Sequence, residues 1–315
     1  MFGGAGFVGT HLARHLRATN RFGEVVLVDI VEPSAPLPKG VRHVLHDVRV
    51  SIPATLTRQP DWIFNLAAVH REPGHAPAEY AATNVPGAHN VTSFAREVGC
   101  RHLYFTSSIA CYGRLDEPAD ENTPLRPVSP YGRSKVEAEH IHLAWQQNGP
   151  DQRLVVCRAA ALYGPGDPGN ILRLIRAARR GRLFLGDPDV RKSCGYVHEF
   201  LRTVDFALDR RDPFLLYNFA DAATHSVGEL VEIAAEALGF VTHTVRLPQQ
   251  LLMLVAHAIH SATLGRSVIH PTRVRKASTP THVLTTRLRQ LGYRFRFDFA
   301  TALRDWQRRA PADFA

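Results

Sequence analysis

A chain of 315 residues, 45% of them apolar and with a formal net charge of +9, is long enough for one large α/β core plus an accessory lobe. Its four cysteines have neither CxxC nor metal-ligand spacing, so neither a disulfide framework nor a metal site is expected, and a reducing cytoplasm is the expected compartment. No apolar run reaches the roughly 18 residues of a membrane span, and the first residues lack a signal-peptide pattern.

The chain opens on MFGGAGFVGTHLARHL (1–16), in which Gly3, Gly6 and Gly9 recur every three residues and Gly4, Gly6 and Gly9 satisfy GxGxxG. Glycines at this spacing allow a tight turn and close approach of the backbone to a pyrophosphate, and the helix that starts at Phe7 and Val8 aims its N–H groups at it. Such a turn follows a central strand, yet only Met1 and Phe2 precede it. The expectation is a sheet whose first strand is largely missing, in a natural chain that starts several residues upstream. EVVLVDI (24–30) reads as the next strand and ends on Asp29 and Ile30, with Asp29 20 residues past Gly9. A carboxylate there accepts from ribose hydroxyls and repels a 2′-phosphate, which selects NAD over NADP. HDV (46–48) closes a third strand and places Asp47 and Val48 near adenine.

WIFNLAA (62–68), HLYFTSS (102–108) and RLVVCRAA (153–160) read as further buried strands, with amphipathic helices over 80–98 and 133–148 between them. This alternation predicts βαβ units on a parallel sheet. SPYGRSKVEAE (129–139) carries Tyr131 and Lys135 four apart, on one helix face. A tyrosine ordinarily titrates near 10, too high for a base at neutral pH; an ammonium and a nicotinamide ring nearby favour the phenolate. Tyr131 then exchanges a proton with a substrate hydroxyl. Ser107 and Ser108 end a strand where such sheets bind ligands, and Thr106 just before them counts with the cofactor-binding residues.

After the turn-rich LYGPGDPGN (162–170) come a short helix, NILRLIRAARRG, a strand, LLYNFAD (215–221), and a helix, SVGELVEIAAEALG (226–239), stopped by Gly239. The chain divides into a dinucleotide-binding domain over 1–163, to which 195–222 returns, and a smaller, mostly helical substrate lobe over 164–194 and 223–315. From Ala237 to Phe297 there is no Asp or Glu but there are nine Lys and Arg, the whole charge excess of the chain. A basic surface of this kind suits a diphosphate, an acidic membrane face or RNA. Leu251, Leu254, Val255 and their neighbours in LPQQLLMLVAHAI (247–259) make the lobe a candidate for peripheral membrane contact.

Together, GGAGFVG, VDI, NLAA, TNVPGAHN (83–90), TSSIACYG, YGRSK, LYGPG and LYNFAD resemble the extended short-chain dehydrogenases/reductases of the NAD-dependent epimerase/dehydratase family along essentially the whole chain. The resemblance implies a Rossmann-type doubly wound sheet, a catalytic Ser108, Tyr131 and Lys135, and NAD contacts at Leu66, Ala67 and Ala68. It also makes Asn84 the asparagine of the family's relay and implies a homodimer through the helices flanking the site. Ile109 and Ala110 stand where the sugar-nucleotide dehydratases carry an acid pair, and Ala161 where many UDP-sugar epimerases carry Asn. LAAVHRE (66–72), GNILRLI (169–175), LPQQLLMLVAHAI and RVRK (273–276) are similar to the N-acetylglucosaminyl-diphospho-undecaprenol 4-epimerases.

The expected function is therefore NAD-dependent epimerisation at C4 of a sugar on a diphosphate, nucleotide- or polyprenyl-linked, through a 4-keto sugar. His70, Ser108, Asn170 and Lys192 are the candidate substrate residues. The alternatives are a sugar 4-reductase or 3-hydroxysteroid-type dehydrogenase on the same residues, and an RNA-binding module on the same scaffold. The intact Ser108, Tyr131 and Lys135 set, and a basic window without interleaved aromatics, argue against a nucleic-acid partner.

Overall fold

The computed structural model describes every residue except Glu72, Asp116, Pro150, Pro168 and 264–269, and the Arg182 side chain. Glu72 of LAAVHRE and Arg266 of the basic window thus lie outside the described residues. In chain order the sheet-forming half comprises α1 (Phe7–Ala18), β1 (Val25–Asp29), β2 (Val41–Leu45), β3 (Ile63–Asn65), α2 (Pro77–Glu97), β4 (His102–Ser108), α3 (Pro130–Gln147) and β5 (Arg153–Ala159). There follow β6 (Ala161–Tyr163), α4 (Asn170–Ala178), β7 (Arg182–Leu185), β8 (Arg191–Lys192), β9 (Cys194–Tyr196), α5 (Val197–Asp209) and β10 (Phe214–Phe219). The chain ends with β11 (His225–Ser226), α6 (Val227–Leu238), β12 (His243–Arg246), α7 (Gln249–Ala262), α8 (Pro271–Ala277), α9 (Thr286–Gln290) and α10 (Phe299–Arg309).

All pairings in the main sheet are parallel: β1 with β2, and β3, β4, β5 and β10 side by side. Between β1 and β3 runs the stub formed by Met1 and Phe2. Phe2 donates to the Phe64 carbonyl and accepts from Leu66, while Val28 donates to Met1. The Phe2 ring is 1% exposed and meets Phe94 edge-on at 5.7 Å. Two residues thus join the half-sheets at the position where the sequence leads one to expect a largely missing first strand.

Burial on both faces explains why these strands read as apolar runs. Leu12, Leu16, Phe200, Val204 and Leu288, from α1, α5 and α9, cover one face. Ala88, Val91, Phe94, Ala138 and Trp145, from α2 and α3, cover the other. A third buried cluster packs Ile171, Leu230, Leu303 and Trp306 of α4, α6 and α10 around Tyr163 and Tyr196. Ser226 and Glu229 form a capping box at the start of α6, and Gly239 ends it at φ +69°, as the sequence predicts.

Helix starts differ from expectation. α3 begins at Pro130, three residues early, because Ser129 accepts from Gly132 N–H and Pro130 fills the first helical position. α2 begins at Pro77, with the Glu79 carboxylate accepting from Ala76 N–H. β3 has three residues rather than the seven expected: Leu66 still donates to the Phe2 carbonyl, but that neighbour turns off at Gly3 and the ladder ends there. Asp47 and Val48 follow β2 rather than close it.

Candidate active site

The glycine turn builds a cradle. Gly3 sits at φ +74°, where a Cβ would lie 2.6 Å from Ala67 N, and a Cβ on Gly9 would lie 2.6 Å from the Gly3 carbonyl. Only glycine fits either place. At Gly6 a Cβ would meet nothing nearer than the Gly3 carbonyl at 3.4 Å, so that side of the turn is open to a ligand. Gly6 begins α1 without a side-chain cap, and its first turn, Phe7 and Val8 onward, has no acidic residue. Its N–H groups and dipole are left for an anion. Asp29 accepts from Ala5 N–H at 3.0 Å and from Ile30 N–H at 2.7 Å, which fixes the carboxylate beside the turn. Leu66, Ala67 and Ala68 border the same cradle, half-buried after β3. Asp47 pairs with Arg49, whose hydrogen bond holds the carboxyl below its usual range, and buried Val48 packs under Gly87. These features fit NAD: the turn and α1 would hold the pyrophosphate and Asp29 the adenosine ribose. The buried Thr106 Oγ1, without a partner among the described residues, is a further polar atom available in the site.

Ser108, Tyr131 and Lys135 converge at the end of β4. The Ser108 Oγ accepts from Ala110 N–H at 3.2 Å and lies close enough to the Tyr131 phenol to act on its titration. Burial pushes the Tyr131 pKa up, and the Ser108 hydroxyl opposes this. The Lys135 ammonium donates to the Thr106 carbonyl at 2.7 Å and lies 4.6 Å from the Phe105 ring centroid. Burial lowers it to about 8, while Cys111 and Glu139 act to keep the proton on.

Asn84 is buried one step behind. It accepts from Val69 N–H at 2.8 Å and donates to Ser134 Oγ at 2.9 Å, and Ser134 in turn donates to the Tyr131 carbonyl. Its side chain therefore joins the loop after β3 to the first turn of α3. A second buried network lies deeper. Arg158 grips Glu139 through Nε at 3.0 and 3.2 Å and Nη2 at 2.7 Å, and donates to Tyr112 OH at 3.0 Å. Glu139 also accepts from Ser107, the neighbour of Ser108.

The candidate substrate residues are less uniform. His70 sits at the mouth, near the Ala68 carbonyl and within electrostatic reach of Lys135. Asn170 is exposed at the start of α4. The Lys192 ammonium is engaged by the Lys276 carbonyl at 2.5 Å and by that of Thr279, at the end of α8. Three arginines from LAAVHRE, GNILRLI and RVRK converge here: Arg71 of the loop after β3 and Arg273 of α8 each act on the electrostatics of Arg173 of α4. Asp167, within reach of Arg71 and Arg173, has its carboxyl raised by burial to about 6. The three are about one hundred residues apart in the chain, so the motifs are local but their convergence is not.

The chain matches the sequence profile of the NAD dependent epimerase/dehydratase family over residues 1–219. It is 28% identical over 239 residues to the N-acetyl-alpha-D-glucosaminyl-diphospho-ditrans,octacis-undecaprenol 4-epimerase of Escherichia coli O157:H7, covering 74% of this chain and 72% of that one. It is 27% identical over 276 residues to the UDP-glucose 4-epimerase of Streptococcus mutans, covering 76% and 81%. Among solved structures it resembles MoeE5 in complex with UDP-glucose and NAD, with a TM-score of 0.74, 26% identity and 98% and 97% coverage. A profile match over more than half the chain, with the cradle and the serine–tyrosine–lysine cluster in place, settles its membership: the chain belongs to the NAD dependent epimerase/dehydratase family.

Proposed function

We propose that the protein is an epimerase acting at C4 of a sugar carried on a diphosphate, nucleotide- or polyprenyl-linked. The observation that carries this reading is the convergence of Ser108 and Tyr131 at the end of β4 with Lys135 held on the Thr106 carbonyl, next to a dinucleotide cradle and with Ile109 and Ala110 in place of an acid pair. Bound NAD supplies a reversible hydride acceptor whose ring charge favours the phenolate. Tyr131 takes the O4 proton and later returns it; Ser108 orients O4. Lys135, held on the Thr106 carbonyl, would supply positive charge to the cofactor ribose and the phenolate. Asn84 acts through Ser134 and the Tyr131 backbone, as a positioning residue. Without a carboxylate pair to expel water, the keto sugar has no elimination path and must be reduced again, on either face.

The diphosphate falls to Arg71, Arg173 and Arg273, with His70 and Asn170 at the sugar; Lys192 holds α8 and so places Arg273. The substrate lobe comprises 164–194 and 223–315. Homodimer pairing through α2 and α3 belongs to the same reading, supported by an outward groove lined by His89, Thr92, Arg96, Glu137 and His140. So does a peripheral contact of the basic C-terminal lobe with a membrane.

The test is incubation with UDP-GlcNAc and with a polyprenyl-diphospho-GlcNAc, followed by sugar analysis. C4 epimers should interconvert with no net change in nicotinamide absorbance. Stoichiometric consumption of NADH or NADPH would replace this reading with a reductase.

A further inference from the structure

We propose that α7 and α8 form a membrane-docking element: α7 lies in the plane of an anionic lipid surface on its outward apolar face, and Arg275 and Lys276 of α8 meet the headgroups. The proposal deepens the sugar-diphosphate reading, on which it rests for its purpose.

Leu251, Leu254, Val255 and Ala258 recur at the spacing of one helix face. In an ordinary surface helix that stripe faces the core. Here it faces out: Leu254 is 67% exposed, Val255 44% and Leu251 43%, and of the fourteen residues of α7 only Ala256 is buried. The helix is held from the other side, where the Leu252 side chain packs at Gly186 beyond β7. Phe184 of β7 and Val241 ahead of β12 add exposed apolar surface in the same lobe. At fourteen residues α7 is too short to span a bilayer, and no helix among the described residues is long and apolar enough to do so. An apolar face with cations beside it suits the interface plane.

Charge decides between occupants. The segment from Ala237 to Phe297 has no carboxylate, and α8 carries Arg273, Arg275 and Lys276 in four residues. A second copy docking on the same face would bring these cations against their own symmetry mates. An anionic bilayer has the opposite sign. α8 also links surface to site: Arg275 and Lys276 are exposed, while Arg273 lies within electrostatic reach of Arg173. A diphosphate whose lipid tail stays in the membrane would then meet Arg273 at the same boundary.

The test is flotation of the full chain with phosphatidylcholine vesicles, with and without 30% phosphatidylglycerol. The wild type should float with the anionic vesicles only, and less at high salt. Leu251→Ser/Leu254→Ser should abolish flotation, and Arg275→Gln/Lys276→Gln should weaken it about tenfold. Both variants should keep wild-type melting and wild-type turnover of UDP-GlcNAc, which controls for folding. Absence of wild-type binding at low salt, or equal flotation of the leucine variant, overturns the proposal. Loss of a concentration-dependent oligomer in the leucine variant without vesicle binding would make the face a protein interface and overturn it as well. Vesicle binding without epimerisation of either substrate would leave docking standing and remove the functional reading instead.

Discussion

Arg158→Met isolates the buried pair beneath the active site. In the wild type both side chains are nearly sealed, 7% exposed for Arg158 and 9% for Glu139, and Arg158 satisfies both Glu139 oxygens. Methionine fills similar volume without charge, so Glu139 keeps only Ser107 and a weak thiol contact from Cys111. An exposed pair would be worth at most about 1 kcal/mol. Stranding one partner of a buried pair costs about 3–5 kcal/mol, because an uncompensated charge remains out of water. At about 2–4 °C per kcal/mol, the melting temperature should fall by about 6–20 °C. Urea unfolding of wild type, Arg158→Met and Glu139→Gln/Arg158→Met measures this; the double variant, with no charge left to strand, should recover most of the loss. A single-variant deficit under about 1 kcal/mol would refute the reasoning.

Tyr131→Phe should lower kcat about 10²–10⁴-fold while NAD titration by calorimetry stays within about threefold; substantial residual turnover would remove Tyr131 as the acid–base group. Arg71→Ala and Arg173→Ala should each raise KM for a diphospho-sugar about tenfold or more with little change in kcat, and equal effects on a sugar lacking the diphosphate would contradict the anion role. Gly9→Val should eliminate the NAD-induced rise in melting temperature, since its Cβ would land 2.7 Å from Gly4 Cα. Asp221 is fully buried, accepting from Tyr196 N–H and Tyr163 OH, and burial pushes its carboxyl up to about 7. The unfolded group titrates near 3.9, so the native state holds the extra proton between those values. Stability should fall as pH rises from about 4 to about 7 and level off above; Asp221→Asn should flatten that slope in pH-dependent urea unfolding, and an unchanged slope would count against it.

Local signals were legible in the sequence wherever one residue type had one physical reason to be there. β4 matches its apolar run end to end, and Ser226 and Gly239 bound α6 as caps. The Tyr131–Lys135 spacing and the Asp29 position needed only helix and strand periodicity. Ser129 and Pro130 fit a helix start, yet the amphipathic pattern alone sets the expected start three residues later. What required three dimensions was pairing at a distance. Glu139 lies inside the motif, yet its partner Arg158 is on the next strand. Lys192 reads as a candidate for the sugar-diphosphate, whereas the carbonyls of Lys276 in α8 and of Thr279 just beyond it hold its ammonium. The arginine cluster is assembled from a loop and two helices that the sequence assigns to separate regions.

The junction between β1 and β3 has a consequence for cofactor retention. Val28 donates to the Met1 carbonyl and accepts from Gly3, and Phe2 bonds to Phe64 and Leu66, so the glycine turn grows directly out of the contact between the strand that carries Asp29 and the strands that lead to Ser108. A dinucleotide held by both Asp29 and Lys135 would clamp these two parts of the sheet together. Its binding should therefore slow amide exchange at Val28 more than within β4 and β5, and retention would depend on this junction as much as on the glycines.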